Sequence, residues 1–256
     1  MYAYTLTLLF CAALSQAQVS RSLDGARLVG LTTGSTAALS GELVAIDPLT
    51  GRTLAPVAIE SEGGHGSPSD VVRARDGQRV LVAQIEFRPD GSTFSRLQHV
   101  DPRTGKVRTL VDVGPGALDC LAWERGGALL GTLAPSAGGN LELVELDPTS
   151  GATKARGTLD TFVRSLAFAR GNATLFGLQT AGATWPDALV TLDPASGKRL
   201  STVELHLPEA ATALEVGPDG ALLVTGAGHT LYELDPATGQ GRARGRTSDV
   251  LVVGLD

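Results

Sequence analysis

Along the chain, apolar positions come in short runs of four to eight residues rich in Val, Leu and Ala, and Gly, Pro, Asp or Asn ends each run. No stretch keeps a helical period for three turns, whereas runs of this length between turn residues are the mark of β-strands. One phrase between strands recurs: "LVAIDPLTG", "LQHVDPRTG", "LVELDPTSG", "LVTLDPASG" and "LYELDPATG". Its aspartates are Asp47, Asp101, Asp147, Asp193 and Asp235, at steps of 54, 46, 46 and 42 residues. A period of this size means a repeat architecture, and short strands make it an all-β one.

The phrase is a turn. Proline pre-sets φ near −65° for a first corner, the preceding Asp can accept from the turn's own N–H groups, and the closing Gly can take a left-handed conformation. A second strand–turn–strand element precedes it in each unit, as in "VVRARDGQRVLVAQ" from Val71 and "CLAWERGGALLGTL" from Cys120. Two such hairpins make four antiparallel strands, A to D, which is one blade of a β-propeller.

The two ends complement each other. "SDVLVVGLD" (Ser248 to Asp256) reads as an A strand cut off at its turn, and "SLDGARLVGLTTG" (Ser22 to Gly34) as that turn and its B strand. Asp235 to Asp256 is 21 residues and Gly25 to Asp47 is 22, so the joined step of 43 matches the others. The expectation is a five-bladed β-propeller of four-stranded antiparallel blades, closed by the C-terminal strand pairing beside Ala26 to Thr32 in the first blade. An open array, or a six-bladed ring completed by a partner chain, is the alternative.

Composition narrows the setting. With 43% apolar and 19% charged residues the chain is globular, and a net charge of −6 with no basic run leaves no footprint for nucleic acid. The opening "MYAYTLTLLFCAALSQAQVS" has an apolar stretch from Tyr4 to Leu14 and small residues placed for cleavage before Gln18, so residues 1–17 read as an export signal and 18–256 as one propeller domain, secreted or periplasmic. No run reaches the roughly 20 apolar residues of a transmembrane helix. Cys11 would leave with the signal, and Cys120 is then a lone thiol inside an apolar strand.

In the Asp-Pro-x-(Thr/Ser)-Gly hairpins, and over nearly all of the mature chain, the sequence resembles the secreted and periplasmic repeat proteins of the broad YVTN and quinoprotein-like propeller superfamily. The resemblance implies the fold and leaves activity open, because that superfamily mixes binding proteins, scaffolds and enzymes. The docking tryptophan of quinoprotein blades is missing after Gly51, Gly105, Gly151, Gly197 and Gly239, and the Gly-His and Trp-Asp pairs of WD repeats are absent. No cofactor is implied.

In propellers of this kind the A–B and C–D turns share one face, and the D–A and B–C loops surround the channel mouth on the other. The loop-rich face carries His65 in "IESEGGHGSPSD" and Trp185 in "TAGATWPD". Residues entering the A strands are expected to ring the channel: Asp70, Asp119, Arg164, Thr212 and Asp249. Of these, Asp70, Asp119, Arg164 and Asp249, with Trp185, are the candidate ligand-binding residues. Carboxylates at strand entrances also cap local N–H groups. The four histidines have no metal-ligand spacing, and Asn172 heads a glycosylation sequon in an A–B turn.

The first expectation is an exported, non-enzymatic, monomeric propeller that binds a protein or small molecule through its loop-rich face. The second is a glycosidase-like hydrolase using Asp70 and Asp119, and a third is a subunit of a larger assembly. Two carboxyl groups roughly 5 to 9.5 Å apart would favour hydrolysis. Carboxylates engaged by backbone or arginine would favour binding or scaffolding.

Overall fold

The computed structural model describes residues 28–33, 41–53, 56–59, 66–136, 139–169, 174–179, 187–247 and 252–255. It is a five-bladed propeller whose blades are four-stranded antiparallel sheets. The first blade holds β1 (Leu28–Thr33), β2 (Gly41–Ile46) and β3 (Val57–Ala58), and the second β4 (Gly66–Arg73), β5 (Val80–Phe87), β6 (Thr93–Val100) and β7 (Val107–Pro115). The third holds β8 (Ala117–Trp123), β9 (Leu129–Ala134), β10 (Glu142–Leu146) and β11 (Thr153–Thr158). The fourth follows with β12 (Ser165–Phe168), β13 (Leu175–Gln179), β14 (Ala188–Leu192) and β15 (Arg199–Glu204). The fifth has β16 (Ala211–Val216), β17 (Leu222–Gly226), β18 (Thr230–Leu234) and β19 (Gly241–Arg246). The last strand, β20 (Val252–Leu255), lies antiparallel to β1, with Gly30 opposite Leu255 and Thr32 opposite Val252. Among the described residues no helix is long and apolar enough to cross a membrane.

The core explains the apolar runs. It falls into clusters that each join two neighbouring blades: Val29 and Leu43 with Val71 and Val82, Leu81 and Leu97 with Leu121 and Leu129, Cys120 and Leu143 with Leu166 and Val190, Leu178 and Leu189 with Leu214 and Val224. A fifth joins the last blade to the first, Ala213, Leu223 and Leu231 packing with Leu28, Val44, Ile46 and Val252. Inner and middle strands therefore bury both faces. Strands such as β5 accordingly read as nearly continuous apolar runs and not as strict alternations. The outer strands β11, β15 and β19 are largely exposed, and their sequences are polar.

The repeated phrase is a seam between blades as well as a turn within one. In the first blade the Gly51 N–H donates to the Asp47 carbonyl at 2.8 Å, the Leu49 N–H to Asp47 Oδ1 at 2.9 Å, and the Thr50 hydroxyl to Asp47 Oδ2 at 2.8 Å. The same side-chain pattern forms at Asp147, Asp193 and Asp235, while at Asp101 the Arg108 guanidinium takes Oδ2 at 2.7 Å. Each closing glycine has φ between 69° and 76°. Each also sits against the outer strand of the preceding blade: Gly105 against Ala58, Gly151 against Asp112, Gly197 against Thr158 and Leu159, Gly239 against Glu204, and Gly51 against Gly245. Glycine is thus required twice, for its left-handed backbone and because four of the five neighbours are backbone atoms that cannot move aside.

The innermost strands neighbour one another around the ring in the order β4, β8, β12, β16 and β20, and β20 returns to β4. The seam between the last and first blades also has its own polar ties. The Arg244 guanidinium, 9% exposed, donates to the Pro48 carbonyl at 2.8 Å and pairs with Asp219 at 3.0 Å.

Candidate functional site

Ladder irregularities decide which side chains reach the channel end of the inner strands. In β4 the register steps from Pro68 to Asp70, skipping Ser69; in β8 it steps from Leu118 to Cys120, skipping Asp119; in β16 it skips Thr212. A bulge leaves one residue unpaired and re-aims it relative to its neighbours. Ser69, Asp119 and Thr212 are therefore equivalent, and the next residues, Asp70, Cys120 and Ala213, form a second equivalent set. Alignment of the repeats in sequence pairs Asp70 with Asp119, one residue out of step.

That step separates the two carboxylates. Asp70 is 1% exposed; its Oδ1 accepts the Val71 N–H at 2.8 Å and its Oδ2 accepts the Leu121 N–H of the next blade at 2.8 Å. The equivalent side chains reach forward in the same way, Cys120 Sγ to the Val163 carbonyl at 3.2 Å and Ser165 Oγ to the Leu214 carbonyl at 3.2 Å. Asp70 is a strand bracket.

Asp119 instead lines a cavity of about 330 Å³ at the entrances of β4, β8 and β12, together with Ser67, Ser69, Phe87, Phe162 and Arg164. Asp119 is half-buried, and burial pushes its carboxyl up to about 6 against the opposing pull of the Arg164 guanidinium. Among the described residues no hydrogen bond to the Asp119 carboxylate is found. Arg164 is exposed, its backbone N–H held by the Leu178 carbonyl at 2.8 Å. Ser69 Oγ donates to the Leu118 carbonyl at 2.7 Å and so ties down the peptide that carries Asp119. This is an arrangement for moving a proton beside a fixed positive charge. A carboxyl near 6 exchanges protons at neutral pH, and an adjacent guanidinium can hold an oxyanion.

Of the residues singled out in the sequence, the structure brings Asp119 and Arg164 together. Asp70 is outside the cavity, and the Thr212 hydroxyl is turned back onto Thr225 at 3.0 Å. Trp185, Asp249, His65 and the sequon residue Asn172 lie outside the described residues. Ser67, Ser69, Phe87 and Phe162 are additions that sequence reasoning misses. Phe162 has a detectable signal, an aromatic side chain in the polar D–A connection "LDTFVR" with no strand pattern to absorb it. Among the described residues no three metal-ligating side chains of His, Cys, Asp or Glu converge.

No protein-family model and no curated relative matches the sequence. Solved structures do match. TolB of Acinetobacter baumannii is similar with a TM-score of 0.52 at 16% identity, over 85% of this chain and 52% of that one, so this chain spans about half its length. A protein of unknown function from Bacteroides caccae has a TM-score of 0.50 at 13% identity, over 89% and 97% of the two chains. The periplasmic gluconolactonase of Pseudomonas aeruginosa has a TM-score of 0.47 at 14% identity, over 84% and 81%.

The expectation of a non-enzymatic binding scaffold is corrected at this point. Structural neighbours include proteins named as enzymes, the gluconolactonase and, at a TM-score of 0.44 and 14% identity, a glucose dehydrogenase. The cavity also places a carboxyl that burial raises to about 6 near the Arg164 guanidinium. Likeness at these identities establishes the fold: the chain belongs with the β-propellers.

Proposed function

We propose that this propeller is a hydrolase that opens a carboxylic ester or lactone in the Asp119–Arg164 cavity. The observation that carries the reading is a half-buried carboxyl held near 6 beside an exposed guanidinium, in a cavity of about 330 Å³. Glycoside cleavage by two carboxyl groups is not favoured, because both Asp70 oxygens are occupied by backbone N–H groups. A single base with one cation suits acyl chemistry better.

In the proposed step the Asp119 carboxylate takes a proton from water as the water oxygen attacks the carbonyl carbon. The C–O π electrons move onto the carbonyl oxygen, and Arg164 faces the resulting oxyanion. Collapse re-forms the carbonyl and breaks the ester C–O bond, and the leaving alkoxide takes the proton from Asp119. The carboxylate is regenerated, with an acid and an alcohol as products. The reading predicts p-nitrophenyl ester or δ-lactone hydrolysis whose kcat/KM rises with pH through about 6 as Asp119 ionises. Asp119→Asn is expected to lower kcat at least about 100-fold. No turnover on either class, or full turnover by the variant, would remove the hydrolase.

Three further readings accompany it. Residues 1–17 act as an export signal, and a mature N-terminus at Gln18 in the exported product is the test. The hairpin phrase and four-strand repeat support membership in the broad YVTN and quinoprotein-like superfamily, and the sequon headed by Asn172 is a glycosylation signal where the source glycosylates exported proteins. The pairing of β20 with β1, with the core shared between fifth and first blades, supports a ring whose integrity depends on the C-terminal strand.

A further inference from the structure

We infer that the Asp119 cavity accepts a substrate with a substantial apolar group, an alkyl- or aryl-bearing ester or lactone, and discriminates against a polyhydroxylated one. The inference rests on the hydrolase reading only for the bond that is broken. Phe87 at the end of β5 is 63% exposed and Phe162, ahead of Arg164, is 52% exposed; both line the cavity, with Pro68 and Ile85 beside them. They come from the second blade and from the connection into the fourth, and the blade carrying Asp119 lies between. A ligand covering both rings therefore spans the site of the carboxylate.

The balance of groups disfavours a sugar. Among the described residues the lining offers two serine hydroxyls, one carboxylate and one guanidinium, and Ser69 Oγ already donates to the Leu118 carbonyl. A sugar lactone carries several hydroxyl groups, each losing water on entry and each needing a partner. An apolar group has no such requirement. It gains by covering two half-exposed phenyl rings, each presenting on the order of 100 Å² of apolar surface.

The test separates binding from turnover by using unreactive lactams. A δ-lactam carrying a pentyl chain and gluconolactam are titrated calorimetrically into the full chain, and into the Phe87→Ala/Phe162→Ala double variant. Both rings are exposed, so an unchanged melting temperature verifies that the variant is folded. The expected result is that the alkyl lactam binds the parent protein at least tenfold more tightly than gluconolactam, and that the double variant loses about tenfold or more of that affinity. Equal or tighter binding of gluconolactam, no binding of either lactam, or undiminished binding by the variant overturns the inference. Hydrolysis of the two parent lactones is followed in parallel. Alkyl-lactam binding without turnover of either lactone leaves this inference standing and removes the hydrolase. Turnover of δ-gluconolactone alone, lost in Asp119→Asn, does the reverse.

Discussion

Asp70 Oδ2 accepts the Leu121 N–H across the boundary between the second and third blades at 2.8 Å, so the carboxylate belongs to the ring's framework. Ser165 does the same work further round the ring, accepting the Leu214 N–H at 3.1 Å. Asp70→Ala leaves the buried Leu121 N–H unpaired and is expected to destabilise by about 3 kcal/mol in a denaturant titration. Asp70→Ser, which copies Ser165, should recover part of this, and neither change should move the pH at which the proposed hydrolysis sets in.

Asp119 should behave in the opposite sense. Its folded pKa of about 6 stands above the unfolded value near 4, so the native state binds the extra proton between these limits and its stability falls as pH rises through that window. Asp119→Asn removes the cost. The variant is expected to melt at the same temperature as the parent at pH 4 and to be more stable above pH 6, by roughly 1–2 kcal/mol after solvent screening. A variant less stable at pH 7.5 would contradict the assignment.

The hairpin aspartates titrate the other way. Asp47 and Asp147 are held below the usual carboxylate range chiefly by the N–H groups of Leu49 and Thr149, Asp193 and Asp235 chiefly by the Ser196 and Thr238 hydroxyls, and Asp101 by Arg108. Their contribution is complete above about pH 4 and disappears as pH falls through the lowered native values. Melting temperature should therefore drop steeply only below pH 4, and an Asp147→Asn/Asp193→Asn/Asp235→Asn triple variant should show a shallower drop.

Two glycines with the same backbone conformation should respond differently to alanine. Gly77 has φ 67° and open space within 4 Å of where an added methyl would stand, whereas Gly105 has φ 71° and its added Cβ would run into the Ala58 carbonyl oxygen. Gly77→Ala is expected to cost about 1 kcal/mol from backbone strain alone. Gly105→Ala should cost about 3 kcal/mol or more, because the first and second blades must separate. Equal losses would mean that the hairpin glycines serve only their own turns.

Deleting residues 250–256 removes β20, bares the edge of β1 and takes Val252 out of the core between the fifth and first blades. Loss of the whole cooperative transition in thermal unfolding is expected, not fraying at one end. A truncated protein with an unchanged melting temperature would show that the ring holds without its last strand.

Much of the architecture is legible because its causes are local. An Asp–Pro start and a Gly finish specify a turn through neighbouring backbone groups alone, so Asp47, Asp101, Asp147, Asp193 and Asp235 count the blades before any strand is paired. The site is only half legible. Arg164 and Asp119 stand out as strand-entrance residues, but for Phe87 the turn residues of "FRPDG" mark only where the strand ends, and nothing local reveals that its exposed ring lines a cavity shared with other blades.

Alternation of turn chemistry and apolar runs was sufficient in the sequence to determine an all-β repeat of four-stranded units, since four of the five blades form by pairings within a few tens of residues and only the first takes a strand from the other end of the chain. Tertiary structure alone decided which carboxylate meets the cavity. Side chains on a strand change face at every residue, so the bulges at Ser69 and Asp119 exchange the surroundings of neighbouring positions. Asp70 thereby acquired two N–H partners, and Asp119 acquired burial beside Arg164 from another blade.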